Sequence, residues 1–305
     1  MKQIETSLII TVLNEAKTIE LLLESILLQT ILPQEVVIVD GGSSDETMQL
    51  LTSFAHKHPQ LSLIVDQKKG NRSVGRNWAA QLTKNKVLAV TDAGCQLHPN
   101  WLAELIAEYE RSGSPVVAGY YSSKARTNFQ KAVVPYVLVM PDRVNPETFL
   151  PATRSMLIEK DIFIQFGGFD ETLADNEDYA FAKNLQMHKI KISFTSKAIV
   201  YWKPTETIGS FYSMIFRFAR GDVFAGIIRP KVITVFLRYL FFFFVIVINK
   251  EIALLLAALY INWSIQKNKK YVATGWYYLP VLQIVSDIAV IFGSISGFLR
   301  RIIRK

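Results

Sequence analysis

The stretch KVLAVTDAGCQLHPNW, residues 86–101, contains a strand pattern from which the fold can be predicted. Its short apolar run ends at Thr91, and a single carboxylate, Asp92, stands directly after it. Ala93 and Gly94 follow, so the acid has little bulk beside it. A brief apolar run bounded by turn-forming residues is typical of a buried strand. A lone acid at the tip of such a strand predicts a binding site that requires both negative charge and open space.

The same strand pattern recurs along the chain and alternates with helical patterns. Strands are predicted at residues 7–12, 35–39, 61–65 and 87–91, and helices at residues 18–29, from residue 46 onward, and at 77–83. This alternation predicts an α/β fold with a mostly parallel sheet that is covered on both faces. Ligands bind beyond the carboxyl ends of the strands in such sheets. Asp40 and Asp92 both follow strand ends, so we expect them at one edge of the sheet.

The chain is apolar and basic. It has 305 residues, of which 50% are hydrophobic, and its 34 Lys and Arg against 26 Asp and Glu give a formal net charge of +8. This balance fits a nucleic acid, an anionic membrane surface or a phosphorylated substrate. We predict no nucleic-acid partner, because the basic clusters flank apolar segments. The only cysteine, Cys95, excludes an internal disulfide, and the amino terminus lacks a signal-peptide pattern, which predicts a cytoplasmic location for this part.

The carboxyl-terminal part is strongly apolar and helical in pattern. Its apolar segments lie at residues 232–248, 251–263 and 273–299. A membrane-spanning helix needs about 20 such residues. We predict two transmembrane helices from the first two segments. The third contains Pro280 and Asp287, and it is expected to span, re-enter or lie in the interface. A buried helical subdomain is the alternative.

Three regions follow from these patterns. Residues 1–205 form the predicted α/β domain, residues 206–231 an interfacial connector, and residues 232–305 a hydrophobic helical membrane region. Lysines follow the second apolar segment and arginines close the chain, and both clusters favour the cytoplasmic side of a membrane. Membrane lipid is therefore a predicted partner.

Three acids are candidates for chemistry, and each has a purely structural alternative. Asp40 precedes a Gly-Gly-Ser turn, where it would accept hydrogen bonds from a nucleoside or close its own turn. Asp92 would hold a divalent cation against a diphosphate, or form an ordinary turn. Asp178 stands at a helix start, where it would act as a general base or only complement the helix dipole. The dinucleotide and P-loop glycine motifs are both missing from the sequence.

Five motifs occur in one order along the α/β region. They read SLIITVLNEA, VVIVDGGSSDET, GRNWAA, VLAVTDAGCQLHPNWL and GGFDETLADNEDYAFAKNL. This ordered set resembles the successive motifs of the family-2 glycosyltransferases, and the apolar tail resembles the membrane-attached bacterial members. The resemblance implies a GT-A fold for residues 1–205 and an inverting transfer of a sugar from a nucleotide donor.

The resemblance also implies roles for individual residues. The donor-binding set is Thr11, Glu15, Asp40, Arg76 and Asp92, with Asp92 matching the first acid of a metal-binding D-x-D motif. Asp178 matches the acid that deprotonates the acceptor, and the acceptor side is Gly168, Phe169, Asp170 and Glu177. Arg217 and Arg220, just before the apolar tail, are expected to contact phosphate or lipid headgroups.

The sequence departs from the family pattern at two positions. Gly41 replaces a second acid after Asp40, and Gly94 replaces the second acid of the D-x-D motif. A Mg²⁺ or Mn²⁺ ion at Asp92 is still expected, with the donor diphosphate supplying other ligands, but strict metal dependence is in doubt.

The function expected from this resemblance is sugar transfer in cell-envelope polysaccharide or glycolipid synthesis. The donor is taken as a UDP-sugar, the acceptor as a saccharide or lipid-linked hydroxyl, and the location as the bacterial inner membrane with the catalytic domain facing the cytoplasm. Two alternatives stay open, a polyprenyl-phosphate sugar synthase and a non-catalytic membrane-bound scaffold.

Overall fold

The computed structural model describes residues 4–304, and they divide into two compact units. The α/β unit comprises residues 4–123 and 142–203. The helical unit comprises Lys124–Pro141 and residues 204–304.

The α/β unit is built on one mixed sheet. Its strands are β1 (Thr6–Val12), β2 (Glu35–Asp40), β3 (Leu63–Gln67), β4 (Val87–Val90), β5 (Cys95–Leu97), β6 (Val116–Ser123), β7 (Met156–Glu159) and β8 (Ile192–Trp202), in the order β3-β2-β1-β4-β7-β6-β8-β5. The first four strands pair in parallel, whereas β7 runs antiparallel to both β4 and β6. The predicted α/β fold is confirmed, and the parallel part carries Asp40 and Asp92.

Helices cover the sheet and make up the second unit. They are α1 (Ile19–Leu27), α2 (Thr47–Lys57), α3 (Arg72–Leu82), α4 (Trp101–Ser112), α5 (Asn128–Val137), α6 (Lys160–Gln165), α7 (Glu177–Met187), α8 (Ile208–Phe224), α9 (Pro230–Ile248), α10 (Lys250–Asn268) and α11 (Leu279–Arg304). Leu8 and Ile10 of β1 pack into one apolar cluster, and Ile9 packs into another. Because both faces of the sheet are covered, consecutive residues of its central strands are apolar, as in Leu8 to Ile10 of β1 and Val36 to Val39 of β2.

Two boundaries differ from the predicted ones for local reasons. The strand predicted at residues 61–65 begins at Leu63, because Pro59–Leu61 forms a 3-10 turn and Ser62 has a φ of 45°. Residues 77–83 were predicted to be part of a helix, and that helix begins at Arg72 and ends at Leu82. The Asn71 side chain caps it by accepting hydrogen bonds from two backbone N–H groups of its first turn.

The helical unit includes a segment from the middle of the α/β sequence. The side chain of Gln130 on α5 donates a hydrogen bond to the Pro204 carbonyl, and the Tyr136 hydroxyl donates one to the Leu279 carbonyl at 2.8 Å. Residues 124–141 therefore pack with the carboxyl-terminal helices, although the predicted α/β domain ran without interruption to residue 205. The predicted connector, residues 206–231, is largely the helix α8.

Two helices among the described residues are long and apolar enough to cross a membrane. They are Pro230–Ile248, with a mean hydropathy of 2.3, and Trp276–Ile303, with 1.8. The segment predicted as the second spanning helix lies in α10, whose carboxyl-terminal half is polar at Asn262, Gln266 and Lys267. Length and composition thus select α9 and the third apolar segment.

A buried acid joins three helices of this unit. Asp287 on α11 is 3% exposed and forms an ion pair of 2.8 Å with Arg238 on α9. It also accepts hydrogen bonds from Tyr239, from Tyr260 on α10, and from Gln283. Asp287 is thus surrounded by protein partners, as a buried charge requires.

Two glycines allow α11 to approach α8 closely. A Cβ added at Gly293 would lie 2.5 Å from the Phe216 carbonyl oxygen, and one at Gly297 would lie 2.5 Å from the Arg220 carbonyl oxygen. Small residues four positions apart permit such backbone contact between helices. The second candidate span is accordingly 39% buried, whereas α9 exposes apolar side chains along its length.

Gly297→Ala is expected to destabilise the helical unit, because its methyl group would force the two helices apart. Overpacking of this kind typically costs about 1–3 kcal/mol. Thermal unfolding of the full-length protein in detergent measures the loss. The matched control is Gly209→Ala on α8, where the added Cβ meets open space, and the melting temperature should stay equal or rise. Equal melting temperatures for both variants would contradict the close packing.

Candidate active site

The carboxyl ends of β1, β2 and β4 form one rim of the sheet. Val12 pairs with Asp40 across β1 and β2, and Ile9 pairs with Val90 across β1 and β4. Asp92 lies two residues beyond the end of β4, so it and Asp40 flank the end of β1. Two strand spacings put their backbones about 10 Å apart. The expected convergence of these acids at one edge is confirmed by the sheet register.

Asp40 is fully buried and closes its own turn. Its carboxylate accepts hydrogen bonds from the backbone N–H groups of Gly42 and Ser43 at 3.0 and 2.9 Å, and from the Gln67 side chain at 3.0 Å. The Ser43 hydroxyl also donates a hydrogen bond to this carboxylate. Burial raises the pKa of Asp40, but the hydrogen bonds, of which that from the Ser43 hydroxyl has the largest effect, outweigh burial and lower the pKa below its usual value. The structural alternative for Asp40 is therefore observed, and a contact with a nucleoside stays a prediction.

Thr11 and Glu15 support the same rim. The Thr11 hydroxyl donates a hydrogen bond to the Val39 carbonyl at 3.1 Å, and it lies so close beneath α3 that a Cβ on Gly75 would be 2.2 Å from it. Glu15 lies between β1 and α1, where its backbone N–H donates to the Thr47 hydroxyl at 2.8 Å. Its carboxylate accepts a hydrogen bond from Thr18. The structure thus shows contacts that shape the rim.

The guanidinium of Arg76 brings distant acids together. Arg76 projects from α3 and is 2% exposed. One of its terminal nitrogens lies 2.7 Å from an oxygen of Asp92, and the other lies 2.5 Å from Glu177 in the first turn of α7. Asp178 is the next residue, so the predicted general base stands at the same mouth as the strand-end acid. Three of the predicted site residues are therefore joined in one ion-pair network.

The network sets opposite pKa shifts for Asp92, whose side chain is 28% exposed, and for Glu177, which is buried. Burial raises the pKa of Asp92, but Arg76, Arg154 and Arg72 outweigh it and lower the pKa overall. Burial also raises the pKa of Glu177 and, with the neighbouring Asp178 charge, outweighs the arginines. Among the described residues, the second oxygen of Glu177 has no hydrogen-bond partner. Glu177 therefore holds the arginine in place from inside the protein.

Asp178 is half-buried at the amino terminus of α7. One of its oxygens accepts a hydrogen bond from the Tyr179 backbone N–H at 2.8 Å, and the other faces the Thr153 N–H at 3.4 Å. The helix dipole favours a negative charge at this end. The carboxylate is thus held at the mouth of the site with part of its surface open to a ligand.

The turn at residues 167–171 is fixed to α3 by Asn77. The Asn77 side chain donates to the Phe169 carbonyl at 2.8 Å and accepts from its N–H at 2.9 Å. Gly168 has a φ of 65°, a conformation that disfavours residues with a side chain. Phe169 is 1% exposed and lies beneath Arg76, with 5.6 Å between ring and guanidinium.

The residues predicted for the acceptor side differ in exposure. Phe169 and Glu177 lie in the interior, so they would shape this side from within rather than touch an acceptor directly. A role for these residues on the acceptor side stays a prediction. Asp170 is exposed and accepts a hydrogen bond from the Thr172 N–H at 2.9 Å.

The two arginines predicted to contact phosphate lie in the helical unit. Arg217 is exposed on α8, and the Arg220 guanidinium lies 5.8 Å from the centre of the Phe216 ring. The site of the α/β unit as described does not include them. A contact with phosphate or headgroups stays a prediction.

Arg154 was not anticipated from the sequence. Its Nε lies 4.0 Å from Asp92, and its side chain is 21% exposed. The antiparallel pairing of Val90 with Met156 puts residue 154 opposite residue 92. No pattern in the sequence predicts that β7 pairs antiparallel with β4. The only available signal was a cation two residues before an apolar run.

The protein groups near Asp92 do not by themselves fit a divalent cation. Ala93 and Gly94 supply no side-chain ligand atom, and the Asp92 carboxylate lies between the guanidinium groups of Arg76 and Arg154. Residues 4–304 contain no group of three His, Cys, Asp or Glu side chains that could hold a metal ion. Burial, followed by the Asp92 charge, raises the pKa of Cys95 to about 12, which keeps this thiol protonated. The predicted Mg²⁺ or Mn²⁺ would need oxygens from the donor.

The chain resembles known proteins over most of its length. It is 22% identical over 222 residues to "Glycosyltransferase AglE" of Haloferax volcanii, covering 71% of this chain and 72% of that protein. It is 26% identical over 227 residues to "Succinoglycan biosynthesis protein ExoA" of Rhizobium meliloti, covering 70% and 68%. The solved mannosyltransferase PcManGT from Pyrobaculum calidifontis, in complex with GDP-Man and Mn²⁺, matches with a TM-score of 0.69 at 17% identity, covering 94% of this chain and 87% of that one.

The family assignment rests on the sequence model of the family. The model described as "Glycosyl transferase family 2" matches residues 7–167, which is more than half of the chain and contains Asp40, Arg76 and Asp92. The structural likeness independently supports the GT-A fold. The chain therefore belongs to glycosyl transferase family 2 and is a glycosyltransferase.

Proposed function

We propose that the protein transfers a sugar from a nucleotide-diphosphate donor to a hydroxyl acceptor with inversion at the anomeric carbon. The observation that carries the proposal is the Arg76 network, in which a strand-end acid, Asp92, and the helix start bearing Asp178 lie on either side of one buried guanidinium. A donor at the rim and a base at the helix start are the two requirements of such a transfer.

The donor lies along the carboxyl ends of the parallel strands. Its base lies by the turn that Asp40 closes, near Thr11 and Glu15, and its diphosphate lies near Asp92. The charge pattern supports this orientation, because Arg154 and Arg76 concentrate positive charge at Asp92. We take a UDP-sugar as the donor. A GDP-sugar is the alternative donor, because the solved structure of PcManGT is a complex with GDP-Man.

Asp178 accepts the proton of the acceptor hydroxyl as that oxygen attacks. A bond forms between this oxygen and the anomeric carbon, and the bond from that carbon to the diphosphate oxygen breaks on the opposite face. The electron pair of the broken bond leaves with the nucleoside diphosphate. Positioning and charge stabilisation supply most of the acceleration in such a site.

The helical unit attaches the enzyme to a membrane. Two features support this attachment. Helix α9 exposes Phe241, Phe243 and Phe244, and basic residues follow α10. We place the α/β unit on the cytoplasmic side of a bacterial inner membrane, with the acceptor a saccharide or lipid-linked hydroxyl of the cell envelope. The name of the ExoA relative supports a role in polysaccharide synthesis.

A polyprenyl-phosphate sugar synthase is the second candidate, because a membrane-attached enzyme has access to a lipid phosphate. A radiolabelled product that extracts into organic solvent and is released by mild acid would favour it. A water-soluble product, or one stable to mild acid, would favour a saccharide acceptor. A non-catalytic scaffold is disfavoured, since the buried network around Arg76 is intact.

Asp178→Asn is expected to reduce kcat by about 10²–10⁴-fold, because an amide does not accept the acceptor proton. Donor affinity should stay unchanged. The measurement is transfer by the full-length enzyme, with binding followed by calorimetry. The matched control is Asp161→Asn, an exposed acid in the first turn of α6, which should keep full activity. Full activity of Asp178→Asn would remove the general-base assignment.

Binding of the correct nucleotide sugar should raise the melting temperature of the protein. At a ligand concentration 100 times Kd, linkage gives about 2.7 kcal/mol of added stability. A thermal-shift screen of UDP- and GDP-sugars in detergent identifies the donor, with the free sugars as controls. Asp178→Asn should retain the shift. If no nucleotide sugar changes the melting temperature, the donor-site assignment fails.

A further inference from the structure

Two arginines flank Asp92, and they differ in how far their charge is already engaged. Arg76 contacts carboxylates at 2.5 and 2.7 Å and is 2% exposed. Arg154 keeps 21% of its side chain exposed, and its Nε is 4.0 Å from Asp92, beyond hydrogen-bond distance. Arg76 is therefore committed to the protein, whereas Arg154 can donate hydrogen bonds to a ligand without breaking a short ion pair.

Aromatic rings hold Arg154 in this position. Its guanidinium carbon lies 5.6 Å from the centre of the Tyr121 ring and 5.2 Å from that of Trp202. The backbone carbonyl of Arg154 also accepts a hydrogen bond from the Thr91 hydroxyl at 2.9 Å. A guanidinium held on aromatic faces is suited to bidentate contact with phosphate oxygens, because little side-chain freedom remains to be lost.

The second acid of the D-x-D motif is missing beside this arginine. Gly94 occupies its position, and a Cβ built there would meet no atom within 4 Å. The backbone thus has room for a side chain that the sequence does not supply. Because Arg76 already pairs with both Asp92 and Glu177, the further positive charge at this point of the rim comes from Arg154.

We propose that Arg154 binds the donor diphosphate and supplies the positive charge that a divalent cation would otherwise provide, so that transfer proceeds without such a cation. The inference rests on the proposed function and deepens it. As the bond between the anomeric carbon and the diphosphate oxygen of the donor breaks, negative charge grows on the leaving diphosphate. Arg154 stabilises that charge by donating hydrogen bonds to its oxygens, and no proton leaves the guanidinium.

The first test measures transfer by the full-length wild-type enzyme in EDTA and in Mn²⁺. We expect comparable activity in both. Arg154→Met should lower kcat/KM by about 10²–10³-fold, and Arg154→Lys should recover part of the loss. The matched control is Arg111→Met, whose guanidinium pairs with Glu108 on the surface and is 73% exposed; its activity should equal wild type.

The second test is direct binding and needs no turnover. Calorimetry with UDP and GDP, against uridine and guanosine, separates the diphosphate contribution from that of the nucleoside. Arg154→Met should weaken binding of the matching diphosphate and leave the nucleoside unchanged. Equal weakening of both would show that the variant only disturbs the rim, and would overturn the inference.

A double variant is expected to make the activity dependent on a divalent cation. Gly94→Asp restores a second acid in open space, so Arg154→Met combined with Gly94→Asp should regain activity in Mn²⁺ and lose it in EDTA.

The inference is overturned, and the transferase assignment stays intact, if EDTA abolishes the activity of the wild-type enzyme, Mn²⁺ restores it, and Arg154→Met is as active as wild type. A wild-type enzyme that binds no nucleotide would overturn the proposed function itself.

Discussion

The buried guanidinium of Arg76 is the interaction on which the candidate site depends. It joins Asp92, 16 positions away, to Glu177, 101 positions away. Removing one partner of such a buried pair typically costs about 3–5 kcal/mol, since the remaining charge stays without compensation. The loop after β4 and the start of α7 are thereby held together, and the carboxylate of Asp178 is fixed at the rim without a direct bond to the sheet.

This arrangement separates structural charge from charge that is available to a ligand. Asp40 and Glu177 are both interior acids that organise their neighbours, the first through its turn and the second through an arginine. Arg154 and Asp178 stay partly exposed. Asp92 also keeps 28% of its side chain exposed, so the groups of the rim that stay open to a ligand carry charges of both signs.

The helical unit differs from the α/β unit, because many of its exposed side chains are large and apolar. Its specific contacts are a buried ion pair, Arg238 with Asp287, and the close backbone contact at Gly293 and Gly297. An apolar helix that packs this tightly against α8 is partly a core element. Composition alone therefore cannot distinguish α11 as a spanning helix from α11 as a partner of α8, whereas α9 lacks comparable cover.

Local patterns in the sequence were enough to predict the α/β fold, the strand ends at Asp40 and Asp92, and the helix start at Glu177, because apolar periodicity and turn chemistry are local properties of the chain. The family motifs added the expected roles. Three further features became visible in the three-dimensional structure: Phe169 lies inside, residues 124–141 pack with the helical unit, and Arg154 faces Asp92. Each of these features depends on contacts between segments that are distant in the sequence. The local sequence of β7, for example, does not indicate that this strand pairs antiparallel with β4.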